Sequence, residues 1–391
     1  MGIMVRGYNF SCQGFSHKAT NKPCQDYSLC RIESGSHSVI IVCDGHGGER
    51  YFRSGIGAKT AAQVTLDAVD KFVRCTDKSL FNGVLYTARP AAADKNNDRP
   101  FNAIDNAFRQ LFSSIICQWN NQTEAHAAAN PLTDWEKANV KQEYKDAFLA
   151  KKDLEKIYGC TLIAYVQSET YWFAFQIGDG KCISFMQDIV YTEPVPWDDK
   201  CFLNKTTSLC DNAALEEIRY CFDGSKTFPV AVFLGSDGVD DSFGTTENLV
   251  NFYIQVLKML DSEGFDATTQ SLQKDLPVLS SIGSKDDMSV AFIYDENRLK
   301  DRITQLIQYQ ISLVQDGMQQ LNKRIYTLKA KILNLENPNP QDRKTKIELD
   351  YAKQDIASAE QQKENLQTKL NILYQQLPCN RTSPKENTAH E

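Results

Sequence analysis

The sequence predicts an α+β domain of packed layers followed by an antiparallel helical hairpin. Three observations lead there. Short apolar runs joined by brief polar links read as paired strands. Stretches with helical spacing fall in blocks between them rather than after every strand, which disfavours a doubly wound parallel sheet. Near residue 296 the composition changes: Trp and Phe disappear, Gly317 is the last glycine, and Gln, Lys, Leu and Ile dominate. The 95 residues beyond that point carry 15 basic and 11 acidic side chains (net +4), leaving 28 basic and 39 acidic (net −11) on the first 296. Two units with different roles are expected.

The elements follow in order. HSVIIVC (37–43) is β-branched and fully apolar, as a buried strand should be. CTLIAYV (160–166) and YWFAFQI (171–177) are separated by four residues and read as a hairpin. FPVAVFLG (228–235) and MSVAFIY (288–294) supply further core strands. Helical periodicity predicts helices over 57–74, 103–119, 135–157, 247–260 and 267–279, with polar surface connections over 76–100 and 120–131. Beyond 296, apolar residues recur at helical spacing from Leu299 to Leu335, and again from Ile347 to Leu377. Between them NPNPQD (337–342) breaks the helix, because proline lacks the donor and clashes with the preceding turn. The expected division is a catalytic-type domain over 1–296, a helical hairpin or coiled coil over 297–377 with arms of about 50–60 Å, and a disordered tail over 378–391.

Composition excludes several classes. The chain has 391 residues and 44.2 kDa, with 42% hydrophobic and 24% charged residues, ordinary for a folded protein. Its longest apolar run is far short of the roughly 20 residues of a membrane span. A net charge of −7 and a pI near 5.4 argue against a nucleic-acid binder. MGIMVRGYNFSCQGF lacks a basic region followed by an apolar stretch, and Arg6 stands where a myristoylation signal wants Ser or Thr. The 12 cysteines form no CxxC pair, and several sit in apolar runs as small core residues. A reducing, cytoplasmic setting is expected, and the five scattered histidines offer no zinc spacing.

The chemistry lies in aspartates at strand ends. Asp44 follows 37–43 and opens DGHGG. Asp179 follows 171–177 within GDG. Asp237 follows 228–235 within GSDGVDD. Asp286 and Asp287 precede 288–294, and Asp26 lies in CQDYS before a short strand. A single Asp-Gly pair is usually only a turn. Several, each abutting an apolar strand, are better explained by convergence on a cation. Hard oxygen ligands favour Mg²⁺ or Mn²⁺. His46, between two such aspartates and among glycines, is placed for proton transfer.

DGHGG, GCT (159–161), GDG, SDGV and SKDDMSV occur in the order and approximate spacing of the metal-dependent serine/threonine protein phosphatases of type 2C. The resemblance covers about residues 1–296, and the opening GFSHKATNKPCQD (14–26) resembles a divergent bacterial-type branch. It implies an α–β–β–α sandwich whose two central antiparallel sheets hold a binuclear metal centre at one edge. Carried over position by position, Asp44 would bridge two cations, the Gly45 carbonyl would help hold one, and Asp237 and Asp286 would complete the other site. Asp26 would act directly or through water, and Asp179 would serve a more weakly held third ion. The implied reaction is in-line attack on phosphorus by a metal-bridging water, with His46 protonating the leaving serine or threonine oxygen. The implied substrate is a phosphorylated protein.

Two positions depart from the family pattern. Gln25 precedes Asp26 where a Glu is common, and Asn21 occupies the position of a phosphate-binding Arg. His17 or Lys22 would then supply the positive donor. Stretch 193–224 corresponds to the family's mobile flap. A competing reading makes the chain a phosphoprotein-binding adaptor or pseudophosphatase working through 297–377. That segment would otherwise be an inert extension or a surface for a homodimer or partner protein. A third reading is a hydrolase of small phosphoesters. Neither nucleic acid nor a membrane is an expected partner.

Overall fold

In chain order the strands are β1 (Val5–Cys12), β2 (Tyr27–Glu33), β3 (His37–Cys43), β4 (Thr87–Arg89), β5 (Leu162–Ser168), β6 (Trp172–Ile177), β7 (Lys181–Phe185), β8 (Tyr191–Thr192), β9 (Arg219–Asp223), β10 (Ala231–Gly235) and β11 (Met288–Asp295). They form two antiparallel sheets, one ordered β1-β11-β10-β7-β8 and the other β2-β3-β5-β6-β9-β4. The computed structural model from which this follows describes residues 5–33, 35–89, 102–202, 205–336 and 343–377. The expected helix break at 337–342 and tail at 378–391 lie outside the described residues. The chain divides into two compact units, 1–300 and 301–391.

The helices of the first unit are α1 (Phe15–Ala19), α2 (Ser54–Cys75), α3 (Ala103–Ala129), α4 (Asp134–Asn139), α5 (Gln142–Leu149), α6 (Leu154–Ile157), α7 (Ala214–Glu217), α8 (Asp237–Phe243), α9 (Thr246–Ser262) and α10 (Phe265–Ile282). Strand pleating explains how they layer. Along β3, Ile40 and Val42 face a core shared with Val232 and Leu234 of β10 and Ala291 and Ile293 of β11, so the two sheets pack face to face. The alternate residues Val39, Ile41 and Cys43 face α2 and α3. Phe173 and Phe175 of β6 do the same, meeting Phe108 and Phe112 of α3 at ring distances of 5.2 and 5.1 Å. On the outer side of the other sheet, Phe233 stacks on Tyr253 of α9 at 4.3 Å. The result is a four-layer α–β–β–α sandwich. Central strands buried on both faces have no polar face to show, which is why their sequences are apolar throughout.

Two expectations about helices are corrected. The single helix expected over 135–157 is three short ones. Val140 is extended, and Lys151 and Asp153 take left-handed conformations that end a helix (φ 53° and 50°). The connection expected over 120–131 is instead the last turns of α3, which runs to Ala129 because Thr123 and Ala127 are buried; the chain leaves the helix at Asn130, before Pro131.

In the second unit, α11 (Glu296–Glu336, which begins in the first unit) and α12 (Arg343–Gln376) are antiparallel. Ile307, Ile311 and Val314 pack with Leu370 and Leu373. Lys329 pairs with Glu360 and Glu336 with Lys353, so the partner number falls as the other rises. The distal half replaces this apolar core with Ala352 and Ala359, both buried.

Candidate metal centre

Strand register brings the aspartates together. Tyr27 at the start of β2 pairs with Cys43 at the end of β3, so Asp26 and Asp44 leave the same sheet edge side by side. In the facing sheet Gly235 pairs with both Lys181 and Val290, which sets Asp237 between the GDG turn and the 286–287 segment. The ladder reaches past β3 and β5: Thr161 donates its N–H to the Asp44 carbonyl (2.8 Å), and the Asp44 N–H donates to Thr161 Oγ1 (3.1 Å). Glycine permits the closest approach. A side chain at Gly238 would overlap the Asp287 carbonyl oxygen, and one at Gly14 would overlap the 286–287 backbone.

The electrostatics are those of an anionic cluster. Asp26 is buried, and burial followed by the Asp287 and Asp237 charges holds its pKa well above the carboxylate range. Asp44 is raised for the same reasons, burial first and then Asp26 and Asp237. Asp179 is pushed up to about 6, mainly by burial and then by Asp237. Asp286, half exposed at the rim, is raised by burial and by Asp237. Asp26 Oδ2 and Gln25 Oε1 are buried without a hydrogen-bond partner. Buried acceptors are otherwise satisfied in folded proteins. Acceptor-only atoms left open beside mutually repelling carboxylates fit a hard divalent cation.

Asp287 behaves differently. Burial alone would raise its pKa, but hydrogen bonds from His17 (2.9 Å) and from the N–H groups of Gln25 and Gly14 (2.6 Å each) hold it below the usual range. It ties the 14–25 segment to the start of β11. His17 is buried, with its other ring nitrogen 3.8 Å from Asp286 Oδ1. Lys22 donates to the Gly47 carbonyl (2.5 Å), and burial lowers its pKa against the raising charges of Asp286 and Asp287. Gln25 donates to the His46 carbonyl (3.2 Å) and to Ser54 Oγ.

His46 lies on the opposite flank. Its Nε2 is 2.7 Å from Ser208 Oγ, its ring meets Tyr51 edge-on at 4.8 Å, and burial lowers its pKa to about 4. Ser208 donates its hydroxyl proton to the Cys160 carbonyl (3.0 Å), so it accepts from His46 Nε2 and leaves Nδ1 as the free lone pair. An open cleft of about 610 Å³ begins here, lined among others by His46, Lys200, Lys205, Thr206 and Ser208. Asp179 sits in a turn held by Arg219 of β9. Arg219 is fully buried, donates to the Gly178 carbonyl and faces Asp198 at 3.8 Å.

The structure thus gathers Asp26, Asp44, Gly45, Asp179, Asp237 and Asp286 at one edge, with His46 and Lys22 on its flanks and His17 beneath Asp286. Sequence reasoning missed the supporting roles of Asp287, Ser208, Ser54 and Arg219. The signal for Arg219 was its place as the lone charge in the apolar run IRYCF.

The family described as Protein phosphatase 2C matches residues 13–277. No curated protein matches the chain. Solved structures similar to it include PppA, described as a key regulatory component of T6SS in Pseudomonas aeruginosa (14% identity, 75% of this chain and 98% of that one, TM-score 0.44). Another is the serine/threonine phosphatase Stp1 from Staphylococcus aureus (14% identity, 75% and 96%, TM-score 0.43). A C. elegans sex determining protein is similar at 14% identity over 78% of this chain and 68% of that one (TM-score 0.44). With a match over two thirds of its length, set on two facing sheets with converging aspartates, the chain belongs to the protein phosphatase 2C family.

Proposed function

We propose that the 1–300 unit is a metal-dependent protein phosphatase acting on phosphoserine and phosphothreonine. The observation that carries this reading is the meeting of Asp26, buried with Oδ2 open, and the partly exposed Asp44 beside Asp237, where desolvation and mutual repulsion raise both carboxyl pKa values. Asp44, the Gly45 carbonyl, Asp237 and Asp286 would hold two Mn²⁺ or Mg²⁺ ions, with Asp26 close by and Asp179 serving a weaker third. Such ions supply a nucleophilic water at neutral pH and neutralise phosphoryl charge.

The remaining work belongs to the chain. Thr161 fixes the Asp44 backbone at both N–H and C=O, so the carboxylate keeps its direction. Ser208 orients the His46 ring beside the cleft. Because the Nε2–H is spent on Ser208, His46 would first take up a proton from water at Nδ1 and then pass it to the leaving serine or threonine oxygen. Lys22, held at the Gly47 carbonyl, would supply a cationic donor to a phosphoryl oxygen. The four principal aspartates favour this reading over the adaptor, which has no use for them.

The test is phosphate release from a phosphothreonine peptide, with Mn²⁺ titrated from zero and Asp44→Asn as control. Release that requires Mn²⁺ and is lost in the variant is expected. Release unchanged by Asp44→Asn, or none at any Mn²⁺ concentration from folded protein, would refute it. Faster turnover of a small aryl phosphate than of the peptide would move the reading to small phosphoesters.

A further inference from the structure

We infer that His17 is a nitrogen ligand of the cation site at Asp286, which makes that site a mixed nitrogen–oxygen set. The inference rests on the metal-dependent reading above. The first observation is the tautomer. Asp287 takes the Gly14 N–H on Oδ1 and the Gln25 N–H on Oδ2, so it is an acceptor at both oxygens. His17 Nδ1, 2.9 Å from Oδ1, must therefore carry the proton. In the neutral ring this leaves Nε2 with the lone pair. Metal-binding histidines almost always donate their other ring N–H to a carboxylate or carbonyl in this way.

The second observation is position. Nε2 lies 3.8 Å from Asp286 Oδ1, while Asp287, with both oxygens taken by His17, Gly14 and Gln25, stands behind the ring and orients it. Two ligand atoms at right angles about an ion, each about 2.1 Å from it, stand about 3 Å apart. Asp286 Oδ1 accepts the Asp287 N–H (2.8 Å), and the side chain, 55% exposed, would close the difference by turning about that bond. The third observation is independent of both: Asp26, only 7% exposed, leaves Oδ2 unpartnered, and the Asp286 and Asp287 charges both act on its carboxyl. The alternative is a permanent imidazolium bridging Asp286 and Asp287, an internal cation in place of a ligand.

An imidazole ligand disfavours Mg²⁺, a hard oxygen-seeking ion, relative to Mn²⁺. In calorimetry of the full chain, His17→Gln is expected to weaken Mn²⁺ binding about 10-fold or more, and Mg²⁺ binding by a smaller factor. The direct test is pulsed electron paramagnetic resonance of the full chain with two equivalents of Mn²⁺, prepared with natural and with ¹⁵N-labelled histidine. A histidine nitrogen coupled to Mn²⁺ is expected in the wild type and in His46→Gln, and is lost in His17→Gln. The His46→Gln sample decides the matter even where His17→Gln fails to fold, since His46 is the other histidine at this edge among the described residues. Mn²⁺ bound with no nitrogen coupling, or coupling lost in His46→Gln, would overturn the inference and leave the phosphatase reading standing. Failure of the wild type to bind Mn²⁺ would overturn both.

Discussion

Glu136→Gln is the most revealing structural perturbation, because it removes one charge and almost no volume. Glu136 and Arg53 are 7% and 4% exposed. Arg53 donates to Glu136 through Nε (2.7 Å) and Nη2 (3.0 Å), and its remaining N–H groups reach the Asn130 and Pro131 carbonyls and Tyr158 Oη. Arg53 directly precedes α2, and its neighbour Ser54 meets Gln25 at the metal centre, so this pair pins the α3–α4 connection to the base of the site. Breaking a buried pair by removing one partner costs about 3–5 kcal/mol. The surviving carbonyl acceptors place this case at the lower end, about 3 kcal/mol. For a unit of 300 residues, at about 2.1 cal/mol/K of unfolding entropy per residue, that is a fall in Tm of roughly 5 °C. The sign with pH is fixed by Glu136. Burial would raise its pKa, but Arg53 and the Thr133 N–H outweigh burial and hold it below 4.5. The stabilisation is therefore complete above about pH 4.5, the unfolded value, and is lost as pH falls through the lower folded value. Thermal and urea melts of both proteins from pH 7 to pH 3 should show a constant gap that closes only in acid. A gap under about 1 kcal/mol, or one closing above pH 5, would refute the reasoning.

Gly238→Ala should cost about 2 kcal/mol or more and abolish Mn²⁺-dependent turnover, because the new methyl overlaps the Asp287 carbonyl; an unchanged melt would contradict the packing. Ser208→Ala removes the His46 Nε2 partner. A fall in kcat of roughly 10-fold is expected from about 1–1.5 kcal/mol of lost orientation, with Mn²⁺ affinity by calorimetry unchanged; equal kcat would detach His46 from the chemistry. Leu373→Ala, at a residue 2% exposed in the hairpin core, should destabilise the 301–391 unit by about 2–4 kcal/mol, read as earlier loss of helical circular dichroism on heating.

The parts of this molecule legible in sequence are those with strong local patterns. The runs at 37–43, 160–166, 171–177, 228–235 and 288–294 lie on β3, β5, β6, β10 and β11, because strands buried on both faces leave an unbroken apolar signature. The site aspartates were legible for a related reason: a charge ending an apolar strand is conspicuous. The edge strands were not. β4 and β8 have three and two residues, too short for any period, and β1 mixes Arg6, Asn9 and Ser11 into an edge strand paired only with β11 in its sheet. The break of 135–157 was hidden because it falls at Val140 and at the left-handed Lys151 and Asp153, where no glycine or proline marks it. Ser208 and Arg219 were hidden likewise, since their roles exist only across the fold.

The two departures from the family pattern make sense together once the site is treated as a sum of charges. The edge already carries Asp26, Asp44, Asp179, Asp237, Asp286 and Asp287, and burial and mutual repulsion raise Asp26 and Asp44 far above the carboxylate range. A Glu at position 25 would add another charge to this cluster. Gln25 adds none, spends its amide protons on the His46 carbonyl and Ser54, and keeps Oε1 as an open acceptor facing no protein donor. Position 21 compensates in the backbone. Asn21 takes a left-handed conformation (φ 53°), which asparagine tolerates better than most residues. The turn delivers the next residue, Lys22, to the Gly47 carbonyl beside DGHGG. A positive charge is thus held beside DGHGG one residue after position 21. His17, three residues after Gly14, uses the same loop to meet Asp286 from below. Replacing Asn21 by a β-branched residue would therefore disturb Lys22 and His17 at once, although Asn21 itself is exposed.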